Sequence, residues 1–181
     1  MKKVFGYPEF DENGEQLLTS YDNEYADMLM DIRVYRMKEG SKREFHREGE
    51  ETAILLLSGK IRYLWEGREE TASRKDVFSE GPYALHVPGG TPVCVRAETQ
   101  AEILVQCTKN EAKFPSHLYR PEEAPWKYSC VGKFGNTAKR RVNTIFDHEI
   151  SPKSNMVLGE VLNDPGNWSG YLPHRHAQPE T

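Results

Sequence analysis

The stretch ETAILLLSGKIRYLWEGR, residues 51–68, decides the fold class of this chain. Residues 51–57 form an apolar run of strand length, and the following Ser-Gly-Lys ends the run as a turn. In residues 61–65, IRYLW, the isoleucine, tyrosine and tryptophan share one face, while the arginine and leucine between them share the other. Glu-Gly-Arg then turns the chain back. The stretch therefore predicts two consecutive β-strands, the second with one buried face.

Short strand-like runs separated by turns continue on both sides of this stretch. No segment shows the 3.6-residue period of an amphipathic helix. This pattern predicts an all-β chain, folded as a barrel or sandwich of the jelly-roll kind. The further predicted strands are Met28–Met37, Tyr83–Val87, Val93–Val95, Ala101–Cys107, Val142–Phe146 and Met156–Leu162.

The composition limits the class of protein. Hydrophobic residues make up 37% of the chain and aromatic residues 10%, which is enough for a compact core. A net charge of -4 argues against a nucleic-acid-binding face. No apolar run reaches the length of a membrane span, and the first eight residues lack the apolar core of a secretion signal. Cys94, Cys107 and Cys130 have no CxxC spacing and predict reduced thiols, so we expect a cytoplasmic protein without nucleic-acid or membrane partners.

The distribution of turn residues and prolines predicts four segments. Residues 1–24 form an N-terminal arm with a short hairpin around Asn13-Gly14, and residues 25–110 form a first barrel. The proline-rich residues 111–140 connect it to the incomplete start of a second barrel, residues 141–181. An all-β domain that stops soon after its last predicted strand lacks closing strands, so we expect the sequence to be truncated.

The chemistry-bearing pattern is His174-Arg175-His176, followed by Glu180. On a strand, the two histidines project to the same face, and a carboxylate four residues later can join them at the next bend. Imidazole and carboxylate ligands together suit Zn²⁺, Mn²⁺, Fe²⁺ or Ni²⁺. The alternative is a surface pair of strand histidines that binds no metal. Trp168 and Tyr171 flank the pattern, as packing residues or as platforms for a sugar ring.

A resemblance to a known family rests on this pattern and on three other places. PGNWSGYLPHRH (165–176), LLSGK (56–60), GPYALHVPGGT (81–91) and the connector motifs VGK (131–133) and RVN (141–143) resemble the 5-deoxy-glucuronate isomerases of inositol breakdown. The resemblance covers most of the chain from about residue 25. The related isomerases that act on 5-keto-4-deoxyuronates from pectin breakdown are similar as well.

The resemblance implies a bicupin, which contains two double-stranded β-helix barrels in one chain. It implies a divalent metal, zinc or manganese, held in the second barrel by His174, His176, Glu180 and a later histidine that these 181 residues lack. The implied reaction is aldose–ketose isomerisation of 5-deoxy-glucuronate to 2-deoxy-5-keto-gluconate, and the catalytic base stays unassigned. We expect the 181-residue chain alone to be inactive, with its metal motif exposed or incompletely ligated, and the protein to be a homo-oligomer.

The first barrel departs from the metal-binding cupin pattern. Residues 45–51, FHREGEE, contain one histidine where two are needed, and no histidine follows Pro88-Gly89-Gly90. We therefore expect His46 and His86 to be structural or solvated and the first barrel to be metal-free. Strands near 142–146 and 156–162 are expected to add to a sheet of this barrel, because two-barrel cupins exchange strands.

Two alternatives to 5-deoxy-glucuronate isomerisation stay open. A non-catalytic cupin that binds a sugar or a metal would explain a first barrel without a metal motif. An isomerase of 5-keto-4-deoxyuronate would share the fold. The basic residues 139–141, Lys-Arg-Arg, form either a solvated turn or an anchor for the carboxylate of a uronate, which an arginine fork matches.

Overall fold

The computed structural model describes residues 8–168 of the 181-residue chain. This part consists of short β-strands with two 3₁₀ segments, Ala26–Met28 and Lys133–Asn136, and it contains no α-helix. The prediction of an all-β chain is confirmed. The strands are β1 Glu15–Thr19, β2 Asp31–Met37, β3 Lys42–Phe45, β4 Glu50–Trp65, β5 Arg68–Arg74, β6 Ala84–Val87, β7 Val93–Ala97, β8 Ala101–Lys109, β9 His117–Tyr119, β10 Lys127–Ser129, β11 Arg140–Phe146 and β12 Leu158–Asn163.

Strands β1–β9 form a jelly-roll body of two layers. Layer A has the strand order β1-β2-β8-β4-β6-β9, and layer B contains β3, β7, β5 and the second half of β4. Every pair of neighbouring strands is antiparallel. The body agrees with the predicted jelly roll of cupin type.

Strand β4 belongs to both layers. Its first half pairs with β8 and β6, and its second half pairs with β5 and β7. The register shifts between Leu56 and Ser58, and Gly59 follows with φ +96°. A Cβ atom at Gly59 would lie 2.4 Å from the Gln100 carbonyl oxygen, so a side chain does not fit there. The predicted turn after Leu57 is therefore a corner within one continuous strand.

The core of the jelly-roll body lies between the two layers. The predicted face of Ile61, Tyr63 and Trp65 is confirmed, because each of the three side chains is at most 4% exposed. These side chains belong to the same apolar cluster as Ile54 and Ile103 of layer A. Alternation along β4 thus places the apolar residues of its second half against the opposite layer.

Strands β10, β11 and β12 form a separate antiparallel sheet, the outer sheet. Their predicted counterparts at 142–146 and 156–162 are present, but the expectation that they add to a sheet of the first barrel is wrong. β11 and β12 satisfy each other's backbone hydrogen bonds and pack face-on against the outside of layer A. Ile145, Phe146 and Leu158 lie there against Ala53 and Leu55. Burial of these apolar faces, rather than strand pairing, attaches the outer sheet to the body.

The sheet of the jelly-roll body reaches beyond residues 25–110 on both sides. β1, from the predicted arm, pairs with β2, and β9, from the predicted connector, pairs with β6. The turn predicted around Asn13-Gly14 is present directly before β1, where the Gly14 N–H donates to the Asp11 carbonyl at 3.0 Å. The division of the chain into two barrels stays a prediction.

All three cysteines are free thiols. Cys107 is buried between the layers, with its Sγ 3.4 Å from the Thr52 hydroxyl oxygen, and burial raises its pKa to about 11. Cys94 and Cys130 are half-buried. Among residues 8–168, no helix is long and apolar enough to cross a membrane.

Candidate functional site

The predicted metal ligands His174, His176 and Glu180 lie outside the described residues, as does Tyr171. In the sequence, β12 and a turn at 164–167 precede these residues. The Trp168 N–H donates to the Thr137 carbonyl at 2.7 Å, and the Asn167 side chain donates to the Lys139 carbonyl at 2.9 Å. Residues 164–168 are thus bonded to the segment that precedes β11. The indole of Trp168 is 44% exposed.

Within residues 8–168, no group of three or more His, Cys, Asp or Glu side chains is placed to hold a metal ion. His46 is half-exposed, and its Nε2 lies 3.1 Å from Glu48 Oε1. His86 lies elsewhere, buried on β6, the last strand but one of layer A. The structure does not bring these two histidines into one cluster.

His86 forms a buried pair with Glu51 on the outer face of layer A. Its Nε2 lies 2.9 Å from Glu51 Oε2, and both side chains are at most 2% exposed. Because an ionised carboxylate only accepts hydrogen bonds, Nε2 carries the proton. The imidazole stacks on Phe146 of the outer sheet, with ring centroids 4.2 Å apart and planes 7° apart. His86 is therefore structural, and it packs against β11.

The second oxygen of Glu51 reaches the chain beyond β11. Oε1 accepts a hydrogen bond from the Asn155 main-chain N–H at 2.6 Å. Burial opposes ionisation of Glu51, but the hydrogen bonds from His86 and Asn155 favour it, so that the pKa of Glu51 lies below its ordinary value. The Glu51 carboxylate thus forms hydrogen bonds both within the jelly-roll body and with the loop that leads to β12.

A second buried contact joins β5 to β12. Arg74 donates from Nη1 to Glu160 Oε1 and from Nη2 to Glu160 Oε2, both at 2.8 Å. The arginine side chain is fully buried, and it also donates to the Leu56 and Glu80 carbonyls. The Asn143 amide donates to Glu160 Oε2 at 3.2 Å, and the Glu160 N–H donates to Asn143 Oδ1 at 2.9 Å. This bidentate pair fixes β12, the last described strand before the predicted metal motif.

The basic residues 139–141 have partners inside the protein. Arg140 donates to the Ala138 carbonyl and to Cys130 Sγ. The guanidinium of Arg141 lies over the Trp126 ring, 5.5 Å from its centroid. The ammonium group of Lys139 lies 4.5 Å from the centroid of another aromatic ring of the connector. The residues thus line an aromatic surface beside β11, and a role in anchoring a carboxylate stays a prediction.

Sequence reasoning missed both buried polar contacts between the body and the outer sheet. The available signal was Glu51 at the start of one apolar run and His86 inside another, because a charged or polar side chain in such a run needs a buried partner. Arg74 gave no comparable signal, because β5 contains several charged residues, and Glu160 gave none, because polar and apolar residues mix in β12. Only the tertiary arrangement identifies their partners.

The chain is similar to known proteins along most of its length. The model of the KduI/IolB family matches residues 6–181. A 5-deoxy-glucuronate isomerase of Geobacillus kaustophilus is 31% identical over 148 residues, which cover 80% of this chain and 52% of that protein. A protein of the same name from Bacillus subtilis is 25% identical over 170 residues, covering 92% of this chain and 61% of the relative. The chain spans about half the length of the first of these relatives.

A solved structure supports the fold. The crystal structure of an IolB-like protein from Salmonella typhimurium superposes with a TM-score of 0.67 at 18% sequence identity. The overlap covers 76% of this chain and 52% of that one. At this identity the likeness establishes the architecture described above.

Proposed function

The chain belongs to the KduI/IolB family, and from this premise we propose that the protein is an isomerase that converts 5-deoxy-glucuronate into 2-deoxy-5-keto-gluconate. The observation that carries the proposal is the family match over residues 6–181, joined by relatives named 5-deoxy-glucuronate isomerase. The common name of these relatives favours this substrate over 5-keto-4-deoxyuronate. The proposal concerns the protein at its natural length, since the chain spans about half of the first relative.

We assign the metal to His174, His176 and Glu180. Two imidazoles and a carboxylate are a donor set that fits Zn²⁺ or Mn²⁺. A divalent ion bound there would polarise the substrate carbonyl and stabilise the negative charge that develops on its oxygens. Isomerisation also needs a base that carries a proton between two neighbouring carbons, and we leave that residue unassigned.

The described residues support a scaffold role for the jelly-roll body. β12 leads to the predicted metal motif, and the buried ion pair between Arg74 and Glu160 attaches β12 to the body. Glu51 attaches the loop before β12 through the Asn155 N–H. Metal ligands must be held within a fraction of an ångström of their working positions. We propose that the body orients the strand from which the motif continues.

The test uses the protein expressed at its natural length. Conversion of 5-deoxy-glucuronate is followed by proton NMR, and bound metal is measured by inductively coupled plasma mass spectrometry. We expect His174→Ala and His176→Ala to lose both the metal and the turnover. His148→Ala, which changes an exposed histidine in the loop after β11, should keep both. Turnover that survives His174→Ala or exhaustive chelation would reject the metal assignment, and stoichiometric metal without turnover would indicate a binding module.

We further propose that the protein is a homo-oligomer. In the described part of the chain, β10 and β12 each have one edge that no other strand pairs. Exposed strand edges favour pairing with another chain. Light scattering coupled to size-exclusion chromatography tests this, and a monomer at micromolar concentration would contradict it.

A further inference from the structure

A cavity of about 500 Å³ lies where the end of layer A meets the loop after β11. Its apolar walls include Phe114, Tyr119 and Ile150, and the loop contributes Ser151. The volume is that of a pocket for a small organic molecule, and mostly apolar walls with a few polar groups are typical of such pockets. None of the lining residues belongs to the predicted metal motif.

Two histidines on neighbouring strands line the cavity. His86 on β6 and His117 on β9 are directly opposite in the antiparallel register, so both side chains lie on the same face. Each histidine is held by a carboxylate: His86 Nε2 lies 2.9 Å from Glu51, and His117 Nε2 lies 2.6 Å from Glu123. Both carboxylates near the cavity therefore already have a partner.

The two carboxylates have further hydrogen bonds from the main chain. The Arg120 N–H donates to Glu123 Oε2 at 3.0 Å, and the Asn155 N–H donates to Glu51 Oε1. No acceptor oxygen of either carboxylate lacks a donor. Every oxygen of the two carboxylates is thus hydrogen-bonded within the protein.

The ammonium groups near the rim have fewer hydrogen-bond partners than these carboxylates. Lys153 lines the cavity, and its Nζ donates to the Lys113 carbonyl at 3.0 Å. The Nζ of Lys113 donates to the Gly89 carbonyl at 2.8 Å. Within residues 8–168, neither lysine forms an ion pair with a carboxylate. An ammonium group with one neutral acceptor has two N–H bonds left for an anion.

We propose that this cavity binds a small organic carboxylate. The carboxylate group of the ligand pairs with Lys153 at the rim, and its apolar body lies against Phe114 and Tyr119. A cationic ligand would have to share carboxylate oxygens that already accept imidazole and main-chain N–H groups, whereas an anion meets free N–H groups on Lys153. The site adds a second ligand to a protein whose proposed reaction uses residues outside this cavity.

The test uses benzoate as the probe and benzyl alcohol, a neutral analogue of similar shape, as its control. Binding is followed by main-chain amide shifts of ¹⁵N-labelled protein. We expect benzoate to bind with millimolar affinity and to shift the amides of residues 117–119 and of Ile150, Ser151 and Lys153. Benzyl alcohol should bind about tenfold more weakly, because it lacks the charge that pairs with Lys153.

Variants identify the residue that carries the charge. Lys153→Gln should weaken benzoate binding about tenfold, and Lys153→Arg, which keeps the charge, should restore most of it. Lys38→Gln, at an exposed lysine in the turn before β3, should bind benzoate like the unchanged protein. The proposal is overturned if benzyl alcohol binds as well as benzoate, if Lys153→Gln binds benzoate normally, or if saturating benzoate shifts no cavity amide.

Discussion

Arg74 and Glu160 face each other between the jelly-roll body and the outer sheet, and both arms of their bidentate contact measure 2.8 Å. The two residues are 86 positions apart in the chain. Their contact is buried, and it gives the Arg74 guanidinium a counter-charge that it would otherwise lack in the protein interior. The stability of the junction therefore depends on both partners being present.

Removing the carboxylate of this pair should be strongly destabilising. Glu160→Gln leaves the Arg74 guanidinium buried without a counter-charge, and we expect the free energy of unfolding to fall by about 3 kcal/mol. Urea denaturation measures it. Glu44→Gln removes one partner of an exposed ion pair with Lys42 and should leave the free energy of unfolding nearly unchanged.

A double variant tests whether the loss comes from the unpaired charge. Arg74→Met combined with Glu160→Leu removes both charges and replaces the two side chains with apolar ones of similar volume. The double variant should lose much less stability than the sum of the two single changes. Additive losses would mean that the two side chains act independently.

The Glu51 carboxylate should make stability depend on pH. Its folded-state pKa lies below its ordinary value of 4.5, so its stabilising contribution is present above that pH and is lost as the pH falls through the folded-state pKa. Glu51→Gln should lower the free energy of unfolding by about 1–3 kcal/mol at neutral pH. The difference from the unchanged protein should shrink in acid.

Denaturant titrations at several pH values check this dependence. Glu48→Gln, at a carboxylate whose side chain is 80% exposed, serves as the control and should leave the profile unchanged. If Glu51→Gln and the unchanged protein lost stability in parallel on acidification, Glu51 would have no part in the pH dependence.

A side chain at Gly59 should damage the corner of β4. Gly59→Ala places a Cβ atom 2.4 Å from the Gln100 carbonyl at φ +96°, and we expect a loss of about 3 kcal/mol or more. Gly67→Ala also has a positive φ, +73°, but its Cβ would meet nothing within 4 Å. This control should lose only about 1 kcal/mol from the backbone strain. Equal thermal shifts in the two variants would show that the close approach to Gln100 is unimportant.

The three thiols should differ in reactivity. Hydrogen bonds from Ser129 and Arg140 lower the pKa of Cys130, whereas burial raises that of Cys107 to about 11. Since the thiolate is the reactive form, iodoacetamide should alkylate Cys130 long before Cys107 in the native protein. Mass spectrometry of a time course measures both, and Arg140→Gln should slow the reaction of Cys130. Faster labelling of Cys107 would contradict the burial of that residue.

The strands of the jelly-roll body could be predicted because each carries its own pattern. Residues 61–65 alternate, and their apolar members are the buried ones. The corner at Gly59 could not be separated from a turn, because a Ser-Gly-Lys triplet is compatible with both. Only the pairing of β4 with partners in both layers shows that the strand continues.

The placement of the outer sheet could not be predicted for a different reason. Val142–Phe146 and the strand near 156–162 have the composition of strands, but composition does not say whether a strand pairs edge to edge or packs by its face. The choice depends on Phe146 meeting His86, and on Glu160 meeting Arg74. Both contacts join residues that are distant in sequence and whose local patterns carry no information about each other.

The candidate site was predicted in part. Spacing gave His174, His176 and Glu180 as metal ligands, and they stay a prediction because they lie outside the described residues. The cavity beside His86 and His117 was not predicted, since the two histidines become neighbours only through the register of β6 and β9.

The continuity of β4 determines how the jelly-roll body unfolds locally. Because β4 is hydrogen-bonded in both layers, it cannot separate from its partners in one layer without disturbing its pairing in the other. Amide hydrogens on the two layers should therefore exchange with solvent in one cooperative event rather than in two independent ones.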